Sequence, residues 1–279
     1  MFRALRFAAQ LAFSIEADTF RAIKKYAGRI HIVSNERIRD EFLKILSVKT
    51  PSRGIMMLEK SGLFKELFPE MEALRGVESQ DGHRHKDVYF HTLKVLDNIA
   101  ACTDDRDLRL AALFHDIAKP VTKRFIEGIG WTFHGHEDVG ARMFEAIGRK
   151  LRLPSRNIKH ICKLIRLHLR PIAVASSGVT DSAVRRLMVE AGEDIEDLLI
   201  LCRADITSKN RDRARRYHAN FERVASRISE VEEKDKLRAF QSPLDGNAIM
   251  QMFGLRPGPE VGKIKHHIEE AILEGEIEE

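Results

Sequence analysis

The sequence predicts an all-α protein, and three observations carry that expectation. Apolar residues recur three and four apart along almost the whole chain. Strand-like alternation is short and rare. Polar, Gly- and Pro-bearing breaks separate the periodic stretches into a few helical regions.

The elements follow in order. Residues 1–75 read as one helical region, with Ile38, Phe42 and Ile45 on a shared face. Residues 76–90 (GVESQDGHRHKDVYF) read as a polar connector. A second helical region runs to about residue 210, where Leu108, Ala111, Ala112 and His115 share one face and Ile161, Leu164, Ile165 and His168 another. Inside it, FIEGIGWTF (125–133) alternates, and Gly128 and Gly130 suggest a small hairpin or irregular turn. Residues 211–279 form the third region: a charged helical segment, a break at Ser242-Pro243-Leu244-Asp245-Gly246, then GLRPGPEVG (254–262) and a last helix. About a dozen helices are expected, in a neck (1–75), a bundle (76–210) and a tail (211–279).

Composition narrows the class. Of 279 residues, 43% are hydrophobic and 32% charged, as in a soluble globular protein. No apolar run approaches the roughly 18 residues of a membrane span. The apolar, basic N-terminus is interrupted by Gln10, Glu16 and Asp18 and lacks a clear cleavage site, so it does not read as a signal peptide. No membrane partner is expected. Cys102, Cys162 and Cys202 are isolated and lie in apolar helical surroundings; buried free thiols and a cytoplasmic location are expected. The net charge of +5 is mild, but its distribution is not. Arg149, Lys150, Arg152, Arg156, Lys159, Lys163, Arg166 and Arg170 crowd one stretch, and Lys209, Arg211, Arg213, Arg215 and Arg216 another. The chain ends acidic (EEAILEGEIEE). A basic face suits a phosphate-rich partner, though solvated helix surface reads the same way.

The chemistry-bearing pattern is H-x23-HD-x19-H-x31-H-x36-D: His91, His115-Asp116, His136, His168 and Asp205. An adjacent His-Asp pair is common by chance, but HDIAKP closes an apolar helix face and ends in proline, so both side chains leave a helix terminus together. Asp205 ends an apolar run (LLILCRAD), where a carboxylate needs a cation. His134 and His136 both fit the third position; a helix starting at His136 favours that residue. Imidazole with carboxylate suits iron, manganese, nickel, cobalt or zinc, and magnesium less well. His91, His115, Asp116 and Asp205 suffice for one cation; His136 and His168 complete a second, with Asp116 bridging. Lys119 lies one turn after His115, placed to stabilise phosphate charge or merely to end a helix. His85 and Asp87 could reach substrate or cap the helix of His91.

The ordered ligand set resembles the HD superfamily of metal-dependent phosphohydrolases. The flanks extend the resemblance. RALRFAAQLAFSIEA (3–17), RIRDEFLKIL (37–46), SGLFKELFPEMEAL (61–74) and PLDGNAIMQMFGLRPGPEVGKIKHHIEEAILEGEI (243–277) are similar to the neck and C-terminal end of bacterial CCA-adding tRNA nucleotidyltransferases and poly(A) polymerases. The resemblance implies tRNA as partner, held by backbone phosphates through Arg3, Arg6, Arg37, Arg39, Arg211, Arg213, Arg215, Arg216 and Lys263. It implies a hydrolase for 2′,3′-cyclic phosphates, 2′-nucleotides or phosphomonoesters, with His115, Asp116 and Lys119 catalytic and all six ligands on the metal. The polymerase head of that family has no counterpart: no GGxxRD-like turn occurs, and Asp105-Arg106-Asp107 lies in helix. The family's nucleotide-selecting motif would fall just before Met1. A chain lacking that head is expected not to add nucleotides alone. Two alternatives remain: an RNA-binding subunit that partners a separate head domain and carries a non-catalytic His/Asp site, and a signalling hydrolase for cyclic dinucleotides or alarmones.

Overall fold

A computed structural model describes residues 1–76, 79–80, 83–84, 87–176, 180–207, 211–239 and 244–273. It is helical, as expected. Sixteen α-helices and four strands of two or three residues are formed by the described residues, with three short 3-10 turns. The helices outnumber the expected dozen because several have one or two turns, too short to show a 3.6-residue period.

Residues 1–224 make one compact unit and residues 225–279 another. The first opens with α1 (Phe2–Leu11), α2 (Ala17–Lys25), α3 (Asn35–Leu46), α4 (Pro51–Lys60) and α5 (Leu63–Leu67). Ile38, Phe42 and Ile45 do share the buried face of α3. The chain of α4 passes close to α3, since a Cβ on Gly54 would sit 2.4 Å from Ile45 Cγ2. Strands β1 (Ser79–Gln80) and β2 (His83–Arg84) pair antiparallel within the stretch read as connector.

Then follow α6 (Val88–Cys102), α7 (Arg106–Phe114) and α8 (Lys119–Thr122). The expected hairpin forms from β3 (Arg124–Ile126) and β4 (Gly130–Thr132), with Phe125 opposite Trp131 and Gly128 turning at φ 78°. Next are α9 (His136–Lys150), α10 (Ser155–Leu167), α11 (Arg170–Ser176), α12 (Asp181–Ala191), α13 (Ile195–Asp205) and α14 (Arg211–Ala239), whose C-terminal half passes into the second unit. Helices α6, α10 and α13 pack against α7. Gly148 lets α9 lie against α10, since a Cβ there would meet Ile158 at 2.9 Å. In the second unit α15 (Gly246–Phe253) starts on an Asp245 cap to Ala248 N and ends at Gly254, φ 64°. It packs on α16 (Pro259–Leu273).

Two features join residues 1–75 to the helices that follow within the first unit. Ring contacts run Phe42–Phe68 (4.8 Å), Phe68–Phe114 (5.6 Å) and Phe114–Phe144 (5.4 Å), from α3 to the residue preceding His115 and on to α9. Arg109 of α7, 1% exposed, donates to the carbonyls of Leu46, Val48 and Thr103, closing the C-terminal ends of α3 and α6. Such terminal carbonyls have no partner in their own helix.

The cysteines depart from expectation. Cys202 is buried, but Cys162 is half-buried and Cys102 exposed, at the last residue of α6 where the apolar face has run out. Among the described residues no helix is long and apolar enough to cross a membrane.

Candidate metal centre

Helix ends build the centre. Helix α7 stops at Phe114, so His115 and Asp116 leave it together. His136 is the first residue of α9, after Gly135 at φ 75° turns the chain. His168 caps the C-terminus of α10, and Asp205 is the last residue of α13. His91 differs in lying inside a helix, as the fourth residue of α6, rather than at its end. Asn98 of α6 donates to Ala204 O at 2.8 Å and Cys202 Sγ to His168 O at 2.8 Å, which ties α6, α10 and α13 behind the centre.

All six predicted ligands meet. Asp116 lies at the middle, 1% exposed. Its Oδ2 is 3.3 Å from His115 Nε2 and 3.5 Å from His91 Nε2; its Oδ1 is 3.4 Å from His136 Nε2 and 3.8 Å from His168 Nε2. Asp205 Oδ1 lies 2.9 Å from His91 Nε2 and 3.4 Å from His115 Nε2. The choice between His134 and His136 falls to His136; His134 is exposed.

The outer nitrogens explain the orientation. Nδ1 of His115 donates to Ala112 O (2.8 Å), that of His136 to Phe133 O (2.8 Å) and that of His168 to Ile165 O (2.6 Å). Each acceptor lies three residues earlier. With a proton assigned to Nδ1 by these bonds, the Nε2 lone pairs face inward, the arrangement a cation requires.

The inward atoms fit a metal. His115 Nε2, His136 Nε2, His168 Nε2, Asp116 Oδ1 and Asp205 Oδ1 are buried and lack a hydrogen-bond partner. Buried polar atoms without hydrogen bonds are costly, and five of them gathered at and around Asp116 suit a bound cation. Among the described residues two ligand groups have metal-binding spacing, His91–His115–Asp116 and Asp116–His136–His168, with Asp116 common to both. Protons partly meet the same demand. Burial disfavours a charged His115, but Asp116 and Asp205 outweigh it and push it up to about 10. Burial, reinforced by His115, drives His168 down to about 4. Burial works against ionised Asp116 and Asp205, yet the neighbouring histidines hold both well below the usual carboxylate range.

Lys119, first residue of α8, places Nζ 2.6 Å from Asp116 Oδ2 and 5.9 Å from the Phe133 ring. Asp87 caps α6 through Phe90 N; His85 lies outside the described residues. Sequence reasoning missed Thr207, whose Oγ1 lies 2.7 Å from His91 Nδ1, because a lone threonine two residues after Asp205 carries no spacing signal. It also missed Arg109, whose place between Leu108 and Leu110 in an apolar helix was the available sign.

The basic residues separate into kinds. Arg3 and Arg37, both exposed, line one neck groove of about 270 Å³ with Lys44. Arg6 is buried, 2.6 Å from Glu41. Arg39 bonds Asp40 and the carbonyl of Arg152. Arg215 and Arg216 are exposed on α14, and Lys263 on α16. The side chains of Arg211 and Arg213 lie outside the described set.

The chain is similar to known proteins along its length. Residues 12–74 match the family described as the probable RNA and SrmB-binding site of polymerase A, and residues 88–210 match the HD domain. The A-adding tRNA nucleotidyltransferase of Deinococcus radiodurans is 32% identical, over 99% of this chain and 64% of that protein. The CC-adding tRNA nucleotidyltransferase of Thermus thermophilus is 31% identical, over 99% and 62%. The chain thus spans less than two thirds of the length of these relatives. The solved Thermotoga maritima CCA-adding enzyme complexed with tRNA_CCA overlaps 100% of this chain and 57% of that one, at 16% identity and a TM-score of 0.49.

Proposed function

From a chain homologous to the C-terminal part of CCA-adding tRNA nucleotidyltransferases, we propose a tRNA-binding protein whose His/Asp centre is a divalent-metal phosphohydrolase. Its substrates on this reading are phosphate esters of nucleotides or RNA ends: 2′,3′-cyclic phosphates, 2′-nucleotides or phosphomonoesters. The carrying observation is the group of five buried atoms at and around Asp116 that make no hydrogen bond.

His91, His115, Asp116 and Asp205 would hold one cation, and Asp116, His136 and His168 a second. Such ions lower the pKa of water and polarise a phosphoryl oxygen. The residues of the chain supply the rest. Asp116 turns Oδ2 toward His91 and His115 and Oδ1 toward His136 and His168, and so would belong to both positions. Helix-end carbonyls fix three imidazoles before substrate arrives. Lys119, at the less buried side with His91, supplies a positive charge for phosphate oxygens. The neck and tail would hold tRNA through its phosphates, and nucleotide addition is not expected of this chain alone.

The test is hydrolysis of 2′,3′-cyclic nucleotides by purified protein with nickel, manganese or cobalt added. His115→Ala and Asp116→Ala are expected to abolish it. Protein that binds no metal, with both variants matching wild type, would sink the reading.

A further inference from the structure

The four histidines of the centre are oriented in two different ways. His115, His136 and His168 each rest Nδ1 on a carbonyl three residues earlier, and these carbonyls lie at helix ends or just outside, beyond the i→i−4 ladder. His91 has no such acceptor. It is the fourth residue of α6, where preceding carbonyls enter the helical ladder. Its Nδ1 meets the hydroxyl of Thr207 at 2.7 Å, from a residue 116 positions away.

The donor of that support matters. Thr207 follows Asp205 by two residues, and Asp205 Oδ1 lies 2.9 Å from the other nitrogen of the same ring. A three-residue piece of chain, leaving α13 toward α14, thereby contacts both nitrogens of His91. The side chain of His91 is also 22% exposed, against 1% for His115 and His168 and 6% for His136. Neither backbone nor burial fixes it as firmly as the others.

We propose that Thr207 is the positioning residue of His91. Its hydroxyl accepts a hydrogen bond from Nδ1–H, holds the tautomer with the Nε2 lone pair inward, and makes the cation position of His91, His115, Asp116 and Asp205 depend on Thr207. The position of Asp116, His136 and His168 does not share this dependence. The inference rests on the metal reading above, but not on which ester is hydrolysed.

The experiment titrates metal-free protein with cobalt(II), read by calorimetry and by visible absorption of the bound ion. Thr207→Val, nearly isosteric, is expected to weaken one of two cation positions by roughly 10–100-fold, to alter the spectrum of that position alone, and to leave the other unchanged. Thr207→Ser, which keeps the hydroxyl, is expected to restore wild-type affinity and spectrum. Valine protein that binds and absorbs like wild type, that loses both positions equally, or that serine fails to rescue would overturn the assignment. Wild-type protein that binds no cobalt overturns it together with the proposed function. Wild-type protein that binds cobalt as described yet hydrolyses no ester leaves Thr207 supported and defeats the hydrolase reading alone.

Discussion

The ammonium of Lys119 rests 2.6 Å from Asp116 Oδ2, the carboxylate oxygen that also faces His91 and His115. It therefore touches the atom a cation on that side would use. Two consequences oppose each other. Removing Lys119 takes a competing charge from Asp116, so Lys119→Met is expected to bind metal as well as wild type or a few-fold more tightly. It also takes away a donor for phosphate oxygens, so turnover is expected to fall about 100-fold. Metal titration and ester hydrolysis on the same sample check both, and unchanged turnover would reduce Lys119 to a structural partner of Asp116.

Proton release gives a second prediction. His115 in the metal-free protein stays protonated up to about pH 10, held there by Asp116 and Asp205 against the effect of burial. A ligand must be neutral, so metal binding between about pH 6.5 and 10 is expected to release about one proton, with affinity rising about tenfold per pH unit. The sign for stability is the reverse. A raised folded pKa stabilises the metal-free fold fully below about 6.5 and progressively less toward 10. His168, driven down to about 4, acts at the other end, costing stability as pH falls from about 6.5 to 4. Calorimetry in buffers of different ionisation enthalpy measures the proton, and a buffer-independent heat would refute it.

The six clustered His and Asp residues were legible in the sequence because polar residues such as His115 and Asp116 are conspicuous after apolar runs such as LAALFHD. The apolar faces of α3, α7 and α10 and the hairpin at Phe125–Phe133 were legible for the same reason, a period long enough to count. What stayed hidden depends on long-range geometry. The oxygen of Asp116 that faces each histidine, the hydroxyl of Thr207 behind His91, and the close approach permitted by Gly54 are set by packing between segments far apart in the chain. Arg109 reads as ordinary helix charge until α3 brings Leu46 O to 2.6 Å.

Arg109 supplies the third prediction. Its guanidinium is buried and bonds carbonyls of two helix ends, with Asp104 at 2.9 Å. Arg109→Met is expected to cost roughly 3–5 kcal/mol, because the carbonyls at the ends of α3 and α6 lose their donor inside the protein. Arg109→Lys is expected to recover little of it, since one ammonium cannot span acceptors that a planar fork reaches together. Urea denaturation gives the number, and a loss below about 1 kcal/mol would show that water replaces the guanidinium.

The last prediction separates basic residues that meet phosphate from those that hold the fold. Arg215 is exposed and, among the described residues, pairs with exposed Asp212, a contact of about 0–1 kcal/mol that a phosphate readily displaces. Arg6 sits 2.6 Å from half-buried Glu41; burial disfavours the charge on Glu41, but Arg6 and Lys44 draw its pKa below the ordinary value. That carboxylate would lose its nearest partner in Arg6→Ala. On the proposed tRNA reading, Arg215→Ala is expected to weaken binding about uniformly across tRNAs, to lower the salt slope by about 1 and to leave Tm unchanged. Arg6→Ala is expected to lower Tm by several degrees, from a loss of about 1–2 kcal/mol. Binding isotherms at several salt concentrations, with melting curves of the same proteins, distinguish the two. Affinity indifferent to salt would remove the phosphate contacts of α14 from the account, and an Arg6→Ala protein that melts like wild type would move Arg6 from the core of the neck to the RNA-facing set.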